Sequence, residues 1–202
     1  MTPSNAQLSA IKSALFIACL APAFLLWRGL ELDTLGANPI EAITRSLGEW
    51  TLRLLLITLA VTPVRKLTGW HWIVRLRRML GLYTFFYACC HFLAFAWLDM
   101  GFDLDAILKD IAKRPFILVG FVAFVFLTLL AATSFNRAIR SLGAARWQAL
   151  HKLVYLVAVL AILHFFWMRA GKNDFAEVSV YGAILCVLLG WRLARFLRRK
   201  RQ

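Results

Sequence analysis

Acidic residues are the scarcest charge in this chain of 202 residues: ten Asp and Glu stand against 24 Lys and Arg. The other shortages also exclude. Only four cysteines are present and no two form a CxxC pair, so neither a disulfide framework nor a thiolate metal site is expected. Cys19, Cys89, Cys90 and Cys186 lie in apolar stretches and read as small packing residues. There is no Gly-rich dinucleotide fingerprint, and no soluble lobe to hold one. The chain is therefore not expected to take a hydride from a nicotinamide by itself. No small-residue cleavage site follows the first apolar run, which contains Pro22, so that run reads as a retained anchor and not as a removable signal peptide.

What is there is apolar. The chain is 61% hydrophobic with a mean hydropathy of +0.71, and it carries 8 Trp and 16 Phe, the profile of an integral membrane protein. Crossing the hydrocarbon core takes about 20 apolar residues as helix. Six windows come near that length: 10–27, 50–64, 80–98, 115–133, 150–168 and 178–196. The second is short and holds Arg53, and Pro63 is expected to end it. Residues 28–49 read as a loop containing the turn-rich LGANP stretch, Leu35 to Pro39. The expected fold is all-α: a single domain over 1–202, an integral membrane bundle of six transmembrane helices.

A net charge of +14 would point to nucleic acid in a soluble protein, but here the placement of charge decides otherwise. Sixteen bases fall in alternate segments with no acid among them: Lys12; Arg65, Lys66, Arg75, Arg77 and Arg78; Arg137, Arg140, Arg146 and Lys152; and the tail from Arg192 to Arg201. All ten acids fall in the other segments with the remaining eight bases. The positive-inside rule then puts both termini on the cytoplasmic side, N-in and C-in. The basic tail is expected to bind anionic lipid. Nucleic acid is not an expected partner.

Ionisable residues deep in such spans are expensive, and function is their default reading. His91 lies in the third window, between Tyr87 and Phe95 at helical spacing, and His164 lies in the fifth. Counting from Leu98 and Met168, the outer ends of their spans, puts both in the outer half of the membrane at nearly one depth. Two imidazoles at one depth suit clasping a haem iron from both faces, with Phe85, Phe86, Phe92, Phe95, Phe165 and Phe166 as apolar walls. Iron held by two histidines exchanges single electrons and does not readily bind oxygen. The plainer alternative is a cross-helix hydrogen bond at each histidine.

His151 stands thirteen residues before His164, roughly 20 Å along a helix and some 140° around it. A shared face therefore requires a π-bulge or a bend. Three roles stay open for His151: ligand of a second haem, contact for a quinone or flavin edge, or interfacial hydrogen bond. Arg53 reads either as a snorkelling side chain or as a partner for an anion inside the bundle. His71 reads as solvated.

The segments LGANP, VTPVRK, RLRRMLGL, RPF (Arg114 to Phe116), His91 and RWQALHKLVYLVAVLAILHFFW together resemble the MsrQ (YedZ) family, and more remotely the membrane domain of ferric reductases and NADPH oxidases. The resemblance covers most of the chain and implies a bacterial inner-membrane subunit with b-type haem, one or two, and FMN as a second candidate cofactor. The implied task is to carry electrons from the quinone pool or a cytosolic flavin reductase to a periplasmic molybdopterin-containing methionine sulfoxide reductase. By that likeness His91 and His164 are axial ligands, and His151 is an inner-side haem ligand or relay. Only three of the remote family's four histidine positions are filled. Arg53 and Arg114 are candidates for haem propionates, Arg77 and Arg78 for an FMN phosphate or donor docking, and the loop with Asp99, Asp103 and Asp105 for docking the acceptor.

Whether such a subunit is itself an enzyme is left open by these residues. A free-standing ferric reductase and a non-redox transporter or scaffold are the competing readings. The missing flavin domain argues against the first. The third to sixth windows are expected to lack both intramembrane carboxylates and broken helices, which argues against a transporter.

Overall fold

The computed structural model describes residues 3–171 and 173–200, with the side chains of Arg199 and Lys200 excepted. The end of the basic tail, including Arg201, lies outside the described residues, as does Lys172. The structure is 87% helix with no strand among the described residues. Six helices are long and apolar enough to cross a membrane: Asn5–Glu31, Pro39–Thr68, His71–Asp99, Pro115–Ala132, Ala144–Ala170 and Ala176–Arg198. The all-α six-span expectation holds, and the protein is a multi-pass membrane protein. The chain forms two compact units, residues 1–107 and 108–202.

In the first unit, helix α1 (Asn5–Glu31) and helix α2 (Pro39–Thr68) are joined by only seven residues. The long loop expected over 28–49 is therefore mostly helix. The start of α2 is written locally. Asn38 accepts the Glu41 amide at 3.1 Å, Pro39 occupies the first helical position, and Glu41 lies in the first turn, all favourable at a positive helix end. Pro63 does not end α2, contrary to expectation, and lies inside it. A proline costs its own amide and crowds the carbonyl four residues back, yet spans within a membrane tolerate this where neighbours support the opened turn. The stop comes six residues later at Gly69, whose φ of 73° places it in the left-handed region, with its amide on the Arg65 carbonyl.

The third span has three parts: a 3-10 stretch His71–Leu76, helix α3 (Arg77–Leu93) and a π-helical segment Ala94–Asp99. Helix α3 packs along α2 and, through two tyrosines one turn apart, along α1. Tyr83 donates to the Phe16 carbonyl at 3.1 Å. Tyr87, with no exposed surface, donates to the Cys19 carbonyl at 2.7 Å and accepts the Ala23 amide at 3.2 Å. Cys19 and Ala23 would ordinarily bond each other. Beside Pro22, which has no N–H, the Tyr87 hydroxyl is inserted into the ladder and completes it. Lipid is as apolar as leucine, so close packing and such hydrogen bonds hold membrane helices together.

Helix α4 (Leu104–Lys113) was not expected. It is a short amphipathic helix with Ile107 and Ile111 buried and Leu104 and Leu108 exposed, and Asp103 accepts the Ala106 amide at its start.

In the second unit, helix α5 (Pro115–Ala132) packs along α8 (Leu153–Ala170), and α8 packs along α9 (Ala176–Lys200). Two short helices, α6 (Asn136–Leu142) and α7 (Ala144–His151), lead into α8. The fifth span is broken at Lys152, where Lys152 and Tyr155 make i→i−3 bonds to Ala149 and Lys152. The expectation of unbroken spans fails here.

Candidate functional site

His91 lies on α3, two turns beyond Tyr83 and one beyond Tyr87. Its Nδ1 is 2.8 Å from the carbonyl oxygen of Thr44 on α2. A carbonyl only accepts, so Nδ1 carries the proton, and in the neutral ring the lone pair is at Nε2. The ring rests against Gly48, one turn along α2 from Thr44. A β-carbon at Gly48 would lie 3.0 Å from His91 Cε1, 3.1 Å from Nδ1 and 3.7 Å from Nε2, so the Nδ1–Cε1 edge faces the glycine.

The second unit repeats the arrangement. His164 on α8 donates from Nδ1 to the Phe116 carbonyl on α5 at 2.7 Å. The ring rests against Gly120, again one turn beyond the accepting residue. A β-carbon at Gly120 would lie 2.8 Å from Nδ1, 2.9 Å from Cε1 and 3.2 Å from Cγ. Both histidines are thus held in the tautomer that presents Nε2 as a ligand, with the other nitrogen fixed by a backbone oxygen, the usual outer support of a metal-bound imidazole.

His151 is held the opposite way. Its Nε2 lies 3.1 Å from the Thr133 hydroxyl, and that hydroxyl gives its own proton to the Leu129 carbonyl at 2.7 Å. Nε2 therefore donates, and the lone pair of the neutral ring falls on Nδ1. Trp147 stacks on the ring at 4.0 Å and anchors its indole N–H on the Thr133 carbonyl at 2.9 Å.

Arg53 and Arg114 each pair with a carboxylate four residues back. Arg53 lies 2.9 Å from Glu49 and over the Trp50 ring, and Glu49 is also bonded by Arg45 at 2.9 Å. The anion that Arg53 meets inside the bundle is thus Glu49. Arg114 pairs with Asp110 at 3.0 Å. Arg77 and Arg78 are exposed, as is His71. Of the six phenylalanines taken as walls, Phe86 and Phe166 are exposed; Phe166 stacks on Phe175, and Phe165 packs against Tyr181 and under Arg169.

Several residues were missed by the sequence reading: the carbonyls of Thr44 and Phe116, Gly48, Gly120, Thr133, and the buried Arg169, which pairs with Asp174 at 3.2 Å and Glu177 at 3.0 Å. The glycines carried a signal, since glycine inside a membrane helix often marks a close approach.

Among the described residues no three His, Cys, Asp or Glu side chains gather to hold a bare metal ion. A haem brings four equatorial nitrogens with it and asks the protein for axial donors only. Lone, tautomer-fixed imidazoles on separate helices fit that demand. The orphaned Thr44 hydroxyl, buried without a hydrogen-bond partner on the residue that anchors His91, suits a site built around a group from outside the chain.

Residues 47–162 match the family described as ferric reductase like transmembrane component. The chain belongs to the MsrQ family. It is 60% identical over 184 residues, 91% of this chain and 84% of the relative, to the protein-methionine-sulfoxide reductase heme-binding subunit MsrQ of Polaromonas naphthalenivorans. The MsrQ of Herminiimonas arsenicoxydans is 57% identical over 187 residues, 93% of this chain and 86% of the relative. That of Rhodospirillum rubrum is 50% identical over 190, 93% and 89%. The matched stretch of this MsrQ-family chain takes in Gly48, His91, Gly120 and His151 and ends two residues before His164.

Proposed function

We propose that this chain is the electron-transfer subunit of a protein-methionine-sulfoxide reductase system, taking electrons from a quinol or a flavin reductase on the cytoplasmic side and passing them to a periplasmic molybdopterin reductase. The observation that carries the reading is the pair of carbonyl-held histidines, His91 and His164, each in the tautomer that offers Nε2. Under it the chain works as one haem-binding domain in a bacterial inner membrane, with both termini inside, and is itself a relay. The b-type haem supplies reversible one-electron chemistry. His91 and His164 would hold the haem through Nε2, with the Nδ1 protons kept on the Thr44 and Phe116 carbonyls, and apolar helix faces would keep water away.

His151 serves in this reading as a hydrogen-bonding relay residue at the inner side and not as a ligand through Nε2, because that nitrogen is engaged by Thr133. Arg77 and Arg78 are the candidate contacts for an FMN phosphate or for the donor. Arg53 and Arg114 reach haem propionates only by sharing with Glu49 and Asp110.

The test is optical. Purified wild type, reduced with a quinol and kept anaerobic, is mixed with its methionine sulfoxide reductase partner and a sulfoxide-bearing protein. Reoxidation of a b-type band that depends on both partner and sulfoxide is expected. A haem that reduces but stays reduced in their presence contradicts the assignment of acceptor; a colourless protein after haem-supplemented expression contradicts the whole reading and leaves a scaffold.

A further inference from the structure

The two histidine seats are one device built twice. In each, a carbonyl on the neighbouring helix takes the Nδ1 proton, and one turn further along that helix a glycine replaces the side chain that would meet the ring: Thr44 and Gly48 for His91, Phe116 and Gly120 for His164. A methyl group at Gly120 would come within 2.8 Å of ring atoms, closer than real β-carbons approach, and one at Gly48 would come within 3.0 Å, tighter than most, so that the ring must give by a few tenths of an ångström. A ring that moves off the glycine also shifts relative to the carbonyl that holds its Nδ1. The other glycines in helix interiors are unlike these. Gly182 and Gly190 meet nothing within 4 Å, Gly81 meets only Thr58 Cγ2 at 3.9 Å, and the one tight neighbour, Gly29, meets the free end of Leu35. A helix-interior glycine costs about 1 kcal/mol against alanine. At Gly48 and Gly120 that cost has a local reason.

We propose that Gly48 and Gly120 are positioning residues that set the rotation of the two imidazoles, each ring lying close against a neighbouring helix where the absence of a side chain leaves it room. The proposal rests on the reading of His91 and His164 as haem ligands. Each ring meets two neighbours on the supporting helix, the carbonyl at Nδ1 and the glycine surface, which together restrict its rotation. In a ferric haem the orientation of an imidazole ligand's plane affects the low-spin EPR g values, so each seat should be readable in the spectrum.

Gly48→Ala and Gly120→Ala should each weaken haem retention in the purified protein by about 10- to 100-fold, the range for lost outer support of a metal ligand. Haem that is kept should show a moved largest g value. Gly182→Ala should change neither. A second variant separates ring contact from helix packing. In His91→Gly, free imidazole added to the protein supplies an untethered ring that can shift off position 48. Adding Gly48→Ala to that background should leave the imidazole-restored haem signal unchanged. If the double variant is not restored, the glycine acts through packing and the proposal fails. Equal haem content and an equal g value in wild type, Gly48→Ala and Gly120→Ala also overturn it, while the haem reading stands on the wild-type signal. A wild type with no haem signal overturns the haem reading itself, and with it this inference.

Discussion

An imidazole has two nitrogens, and which of them meets a backbone oxygen decides what the ring can do. His91 and His164 spend Nδ1 on carbonyls and His151 spends Nε2 on a hydroxyl, so three histidines alike in sequence have two different chemistries. The difference was not legible beforehand, because a carbonyl acceptor carries no residue label and every position offers one. One ion pair was legible and was overlooked: Glu49 and Arg53 stand at i,i+4 on one face of α2. Tyr87 was noticed as a neighbour of His91, but its insertion between Cys19 and Ala23 depends on the α1 ladder opened at Pro22, which spacing on its own helix cannot show. Its hydroxyl is fully buried with two partners, so Tyr87→Phe should destabilise the protein by about 1–3 kcal/mol. Thermal or denaturant unfolding in detergent checks this; an unchanged midpoint would mean α1 is held by apolar contact alone.

The ends of the elements were harder to read than the elements themselves. All six spans were visible as apolar runs, because a membrane demands length and hydrophobicity and little else. Pro63 was misread because the rule that proline stops a helix comes from exposed helices, whereas α2 continues through it to a left-handed glycine. The two residues should therefore behave differently. Pro63→Ala should leave the span and the protein's stability nearly unchanged. Gly69→Ala should cost roughly 1–2 kcal/mol, the penalty for a β-carbon at positive φ. Comparing the two unfolding midpoints in one detergent decides it, and a larger loss at Pro63 than at Gly69 would place the helix stop where the sequence suggested. The break at Lys152 was not foreseen: the spacing of His151 and His164 said only that a shared face would need a bend, and the fifth span was expected to be unbroken. Helix α4 was missed because its apolar positions, Leu104, Ile107, Leu108 and Ile111, are too few and too interrupted by charge to register as a span.

At the scale of the whole molecule the charge distribution, the six spans and the paired histidine seats support one another. Sixteen bases fall without an acid on alternate segments, the pattern from which the proposed orientation is read, and the helix pairs α2 with α3 and α5 with α8 each carry one tautomer-fixed imidazole. Family membership agrees with that construction, since the relatives are heme-binding subunits by name. The central claim is that His91 and His164 are the axial ligands and His151 is not a ligand through Nε2. The most direct measurement is haem per chain, by pyridine-haemochrome assay with a dithionite-reduced minus oxidised spectrum, on wild type, His91→Ala, His164→Ala and His151→Ala. The account predicts that either of the first two substitutions abolishes the b-type band set by that pair, and that His151→Ala leaves its haem content intact. Retention of a full wild-type spectrum in His91→Ala or His164→Ala would contradict the account, and so would loss of haem in His151→Ala.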